Sequence, residues 1–130
     1  MRTLPPLVLV IDDVDAIVEE LLSFLHLQAI PAVGARTLAQ AIAVLHRSPQ
    51  IRIIACDVRL DRESGLDLMA LIANDEALAA RRHHVVFITG DPLCGEGLPQ
   101  PARYSILTKP VAPRALIGLF RERLADANVE

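Results

Sequence analysis

Five side chains at the ends of short apolar runs could do chemistry together: Asp12, Asp13, Asp57, Thr89 and Lys109. Residues 51–57, IRIIACD, end in Asp57, and residues 7–11, LVLVI, run straight into Asp12 and Asp13. Residues 85–88, VVFI, deliver Thr89, and residues 105–107, SIL, deliver Lys109 after Thr108. Runs of this length and β-branched content read as buried strands of a parallel sheet. The carboxyl ends of such strands line the binding crevice of open α/β sheets. Three carboxylates at neighbouring strand ends repel one another unless a cation neutralises them. An all-oxygen ligand set, with no His or Cys in the pattern, selects Mg²⁺ or Mn²⁺ over zinc. A hydroxyl and an ammonium facing those acids suit the oxygens of a phosphoryl group. The expected chemistry is metal-assisted acceptance of a phosphoryl group by Asp57.

Each of these residues also has a plainer use. An Asp after a strand commonly serves a turn or a helix cap, and Thr89 before Gly90 could do the same. Lys109 before Pro110 could be a solvated loop charge. It is their coincidence at four strand ends that argues for a site. Of the 13 basic residues, 12 are Arg, and Lys109 is the single Lys. A planar guanidinium does not copy a compact ammonium, so the exception fits a position that needs a point charge.

The elements that must position these groups follow in order. After the first strand, Asp15 caps a helix running to about Gln28, whose stripe is Ile17, Leu21, Phe24 and Leu25. Residues 30–35 form a weak second strand, broken by Pro31 and Gly34 and expected at an edge. Thr37 and Gln40 make a capping box for a second helix, with Leu38, Ala41, Ile42 and Leu45 inward and Ser48-Pro49 ending it. A charged loop follows Asp57 and closes at Gly65. A third helix spans about 66–73 with Leu68, Leu71 and Ile72 inward, and residues 75–82 extend or restart it. Residues 90–102 carry prolines and glycines without apolar periodicity, so a regular helix before the fifth strand is not expected. Pro113 opens a last helix to about Ala127, with Leu116, Leu119, Phe120 and Leu124 as its stripe. Alternation of this kind predicts an α/β fold, a five-stranded parallel sheet with helices on both faces.

A chain of 130 residues is long enough for one domain, taken as residues 1–130. Apolar content of 52% with 3% aromatics means an aliphatic core. A net charge of −3 argues against a nucleic-acid surface. Cys56 and Cys94 form no disulfide or zinc pattern, and free thiols fit a reducing cytosol. The N-terminus does not read as a signal peptide. No run approaches the ~18 apolar residues of a membrane span. The expected location is the cytoplasm.

The chain resembles a response-regulator receiver domain of two-component signalling over essentially its whole length. The acid pair Asp12-Asp13, the acceptor Asp57, Gly65, the hydroxyl of Thr89 and the pair Lys109-Pro110 carry that resemblance. It implies a flavodoxin-like, doubly wound sheet of strand order 2-1-3-4-5. It implies that Asp57 takes a phosphoryl group from a phosphohistidine on a sensor histidine kinase or a histidine phosphotransfer protein. Asp13, Asp57 and the main-chain carbonyl of Arg59 would bind Mg²⁺, with Asp12 helping through water, and Thr89 and Lys109 would hold phosphoryl oxygens. The Lys109-Pro110 bond would be cis. The chain departs from the family pattern where an aromatic switch residue is usual, which here is Ile106, with Tyr104 two residues earlier. Asp61 replaces a usual Pro. Phe87-Ile88-Thr89-Gly90, followed by a loop without helical pattern, is similar to a single-domain receiver subgroup with an F-x-T-G motif and a short or absent fourth helix. Arg59 and Asp91 flank the expected pocket, either as two solvated charges or as a pair across its mouth.

Two other classes compete. Asp13-Val14-Asp15 resembles the D-x-D of haloacid-dehalogenase-type phosphohydrolases, but that reading leaves Asp57 unexplained. A receiver-like scaffold that binds partners without phosphorylation leaves all the chemical residues unexplained. Output is expected through protein contacts with an unknown partner, since no output domain is seen after Ala127. The loop RLDRESGLDL also resembles receivers within hybrid kinases, so the chain could be one module of such a protein.

Overall fold

A computed structural model describes residues 4–91 and 103–129. Five parallel strands form one sheet: β1 (Val8–Ile11), β2 (Ala32–Ala35), β3 (Ile53–Asp57), β6 (His84–Thr89) and β7 (Arg103–Thr108). Their order is β2-β1-β3-β6-β7, the expected 2-1-3-4-5 when only sheet strands are counted. Helices α1 (Asp15–Leu27) and α5 (Pro113–Val129) pack on one face. Helices α2 (Leu38–Arg47), α3 (Asp67–Ala73) and α4 (Glu76–Arg81) pack on the other.

Strand alternation sorts the core into two layers. Val8, Val10, Ile53, Ala55 and Val86 join Leu25, Leu116 and Phe120. Leu9, Ile11, Ile54, Cys56, Val85 and Phe87 join Leu45, Leu68 and Ile72. Among the described residues, no helix is long and apolar enough to cross a membrane. The stretch 92–102, where a regular helix is not expected, lies outside the described residues, as does Cys94.

Several local expectations shift. Helix α1 buries Val18 and Leu25, whereas Ile17 is 41% exposed, so its stripe is rotated toward Val18. Its N-cap is Val14 rather than Asp15, without a side-chain cap. Leu71 is likewise exposed, and Met69 is buried instead. Both helices bury the side chains nearest the sheet, and amphipathic spacing alone leaves a neighbouring position open. The Thr37 hydroxyl accepts the Gln40 amide as a capping box requires, but the Gln40 side chain accepts from the Arg36 amide, one residue before the cap. Chain after α3 restarts rather than extends: Asp75 accepts the Leu78 amide and opens α4. That amide, and then His46 at 2.7 Å, hold the Asp75 carboxyl below its usual range.

The charged loop after Asp57 is more ordered than the sequence suggests. Residues β4 (Arg59–Leu60) and β5 (Glu63–Ser64) pair as an antiparallel hairpin, turning through Arg62 at φ 64°. Strand β2 is an edge strand as expected, and Gly34 is required there. A Cβ at Gly34 would stand 2.4 Å from Val18 Cγ1, so α1 could not pack as closely.

His83 lies at the start of β6 with 1% exposure, and neither ring nitrogen has a hydrogen-bond partner. Burial, then the Arg81 charge, push its pKa down to about 4. The folded protein therefore holds a neutral ring while the unfolded chain takes up a proton below about pH 6.5. Its contribution is complete above pH 6.5 and is lost as pH falls toward 4, a change of about 3 kcal/mol over that window. Denaturant unfolding at pH 7 and pH 4.5 should show His83→Leu losing less stability than wild type by most of that amount. Equal losses would refute the neutral buried ring.

Candidate functional site

Parallel register brings the acids together. Ile11 stands opposite Cys56, so Asp12 and Asp57 take the next positions on adjacent strands. Both share the parity of the α1/α5 layer. The Asp12 amide donates to the Ala35 carbonyl at 3.2 Å, and Asp12 Oδ1 accepts the Val14 amide at 2.9 Å, which turns the chain into α1. Asp13 follows, exposed at the rim. One carboxylate oxygen from each of Asp12, Asp13 and Asp57 lies within 4.8 Å of the others, close enough to hold one cation. Asp12 and Asp57 are each 8% exposed. Burial chiefly raises the Asp12 carboxyl above its ordinary value; the Val14 amide opposes this, and the charges of Asp57 and Asp13 add to it.

The opposite wall comes from β6 and β7. Thr89 stands opposite Thr108, and the Thr89 carbonyl accepts the Lys109 amide at 2.8 Å. Lys109-Pro110 is cis, as expected. Lys109 Nζ lies 2.8 Å from Asp57 Oδ1, in an ion pair rather than an aligned hydrogen bond. Thr89 is buried, and its hydroxyl accepts the Asp91 amide at 3.1 Å. Asp57, Arg59, Thr89, Asp91 and Lys109 share a pocket of about 600 Å³. An apolar groove of about 820 Å³ between α1 and α5 opens onto the same Asp57 and Lys109.

All the expected site residues thus meet at one sheet edge. Arg59 stands on β4 with an exposed side chain. Ile106, where an aromatic was absent, packs half-buried against the core, and Tyr104 tilts against Phe87 with ring centroids 6.3 Å apart.

This arrangement agrees with what the chain is similar to. The family model for the response regulator receiver domain matches residues 8–121. The chain belongs to that family. A response regulator receiver protein from Pseudomonas putida is 32% identical, with TM-score 0.73, over 93% of this chain and 99% of its own. A sensor protein from Polaromonas sp. JS666 shares 22% identity and TM-score 0.78, over 93% of this chain and 97% of that one. The signal receiver domain of a LuxO repressor protein from Vibrio parahaemolyticus shares 19% identity and TM-score 0.78, over 97% and 95%. No curated protein sequence matches the chain. A receiver domain is a phosphoacceptor signalling module rather than a classical enzyme, and two-component signalling is the setting of this chain.

Two contacts at the receiver site escaped the sequence. Glu63 Oε2 accepts the Leu38 amide at 2.9 Å, tying the hairpin to α2. Nothing local marks it, because its partner lies 25 residues away. Cys56 Sγ approaches the Asp57 carbonyl at 3.3 Å; burial, then Asp57, raise this thiol far above its usual range, so it is inert.

Gly65 is the tightest position. A Cβ there would lie 2.2 Å from the Asp57 carbonyl oxygen and 2.8 Å from Cys56 Sγ. Its amide donates to the Val58 carbonyl at 2.7 Å, so the backbone has no room to retreat. Gly65→Ala should destabilise the fold by about 1–3 kcal/mol. It should also slow phosphoryl uptake by about ten- to a hundred-fold through displacement of Asp57, the expected acceptor. Denaturant melts and timed intact-mass spectra check the two effects separately.

Proposed function

We propose that this receiver accepts a phosphoryl group on Asp57 in a Mg²⁺-dependent reaction, from a sensor histidine kinase or a histidine phosphotransfer protein. The observation that carries this reading is the placement of Asp57 between the acid cluster and Lys109 Nζ. Asp13, Asp57 and the Arg59 carbonyl would hold the cation, with Asp12 behind them through water; Mn²⁺ suits the same oxygens. Bound there, the ion neutralises charge on the acids and on the phosphoryl oxygens.

The chain's own residues then do the following. An Asp57 carboxylate oxygen attacks phosphorus in line, an O–P bond forms, and the donor's N–P bond breaks as its imidazole leaves. Lys109 exchanges its contact with Asp57 for a phosphoryl oxygen, and Thr89 turns its hydroxyl toward another. Loss of the Asp91 amide from Thr89 Oγ1 would carry the event into the segment after β6. Altered contacts with a protein partner form the output. The free, buried Cys56 supports a cytoplasmic setting. Convergence of the chemical residues on one end of the sheet disfavours a phosphorylation-independent scaffold.

Incubation with acetyl phosphate and Mg²⁺, read by intact mass, should add one phosphoryl group to wild type and none to Asp57→Asn. An unmodified wild type, or a modified mutant, would defeat the assignment. Arg59 and Asp91 line the same pocket, and their pairing across its mouth would slow water attack on the phosphoryl group. Exposed pairs are worth about 0–1 kcal/mol, so Arg59→Ala should shorten the phosphoryl half-life by up to about fivefold. An unchanged half-life would remove the pair from the mechanism.

A further inference from the structure

The groups proposed to hold the cation come from two separate loops. Asp12 and Asp13 belong to the turn between β1 and α1, whereas the Arg59 carbonyl belongs to the β4–β5 hairpin. Neither loop bonds the other through any contact described above. Besides the pairing of β1 with β3, which runs into the hairpin, they are joined by the short turn between β2 and α2, which is gripped from both sides. On one side Arg36 Nε meets Asp15 Oδ1 at 2.5 Å, and the Asp12 amide donates to the Ala35 carbonyl. On the other, Glu63 Oε2 accepts the Leu38 amide at 2.9 Å.

These grips differ in strength. The Arg36–Asp15 pair is open to solvent, with the Asp15 side chain 73% exposed, and such pairs hold weakly. The Glu63 bond is part-buried and charge-assisted, and its carboxylate faces the positive end of the ten-residue α2. Glu63 pairs with Leu60 in the hairpin ladder, and Ser64 pairs with Arg59, so Glu63 sits one rung from the carbonyl in question. Two-residue strands do not hold a position in water by themselves. The hairpin therefore depends on its tethers: Leu60 buried in the core and the Val58 amide on the Ile88 carbonyl hold the β4 side, the Gly65–Val58 bond closes the base, and Glu63 is the side-chain tether on the β5 side.

We infer that Glu63 is a positioning residue for cation binding: by holding the hairpin on α2 it sets where the Arg59 carbonyl stands relative to Asp13 and Asp57. The inference rests on the cation reading above. It gives a role to the side chain and makes the first turn of α2 thermodynamically linked to occupancy of the site. By linkage, whatever Glu63 adds to cation affinity the cation returns to the Glu63–Leu38 bond.

The test is Mg²⁺ binding by titration calorimetry to wild type, Glu63→Ala, Glu63→Gln and Asp75→Ala, with amide exchange at Leu38 followed in wild type. Outer-shell tethers of this kind are worth about tenfold in metal affinity, so Glu63→Ala should weaken Mg²⁺ by about that factor. Glu63→Gln keeps an acceptor oxygen for the Leu38 amide and should stay within about twofold of wild type. Asp75→Ala removes the cap of α4 at the far end of the strands, so it should lower the melting temperature while leaving Mg²⁺ affinity in place. Saturating Mg²⁺ should slow Leu38 exchange in wild type, which needs no variant at all. Wild-type affinity in Glu63→Ala, an equal loss in Asp75→Ala, an equal loss in Glu63→Gln, or Leu38 exchange indifferent to Mg²⁺ would each overturn the positioning role. Wild type that binds no Mg²⁺ would instead overturn the cation reading, and the inference with it.

Discussion

Like charge held at close range is the constraint on which the rest of this structure depends. Three carboxylates place an oxygen each within 4.8 Å of one another. At an effective dielectric constant near 20, each pair of full charges at that range costs about 3 kcal/mol. Burial first, and then the charges of Asp57 and Asp13, displace the Asp12 carboxyl upward. Partial relief comes from the Val14 amide and from the Lys109 ammonium, 2.8 Å from Asp57. A site of this kind is unfavourable as it stands, and the cation and phosphoryl group proposed for it would relieve the cost together. That is what a switch needs, because the occupied and empty states then differ in free energy.

The sheet tolerates the repulsion because the strands that deliver the acids are buried on both faces. Slipping β1 against β3 by one residue would relieve the charge but turn Val8, Val10, Ile53 and Ala55 into the wrong layer. Register is thus held by the apolar core, and the acids must follow it. At the same edge the loops are tied laterally, from Asp12 to Ala35, from Arg36 to Asp15 and from Leu38 to Glu63. The opposite edge carries contacts of a different kind. There Arg81 donates to the Leu45 carbonyl, His46 meets Asp75, and His83 is buried as a neutral ring. Chemistry and stability are separated across the two ends of the strands.

Much of this was legible because short-range patterns carry it. The strands announce themselves as β-branched runs, and each one ends where its polar residue begins. Edge character of β2 follows from Pro31 and Gly34, and the start of α5 from Pro113. Where periodicity alone had to choose between positions one or two residues apart it chose wrongly, at Ile17 against Val18 and at Leu71 against Met69. Helical spacing defines a stripe to within one or two residues, and only the surface it meets selects the side chain that is covered. The β4–β5 hairpin was invisible for a related reason: its strands are two residues long and its turn uses Arg62 at positive φ, with no Gly or Asn to mark it.

By itself the sequence determined which groups could meet: an acid pair, an acceptor carboxylate, a hydroxyl and a lone lysine, each at the end of an apolar run. Residue type and adjacency to a strand end suffice for that, because parallel strands all expose the same end. What only the tertiary structure decided is which groups meet at what distance, and which side chains hold them there. The Ile11–Cys56 register aligns Asp12 with Asp57, the Thr89–Lys109 bond brings the ammonium to 2.8 Å, and Glu63 reaches Leu38 across 25 residues. Those are long-range pairings, and no local pattern encodes them because each depends on a partner that the core, not the neighbouring sequence, brings near.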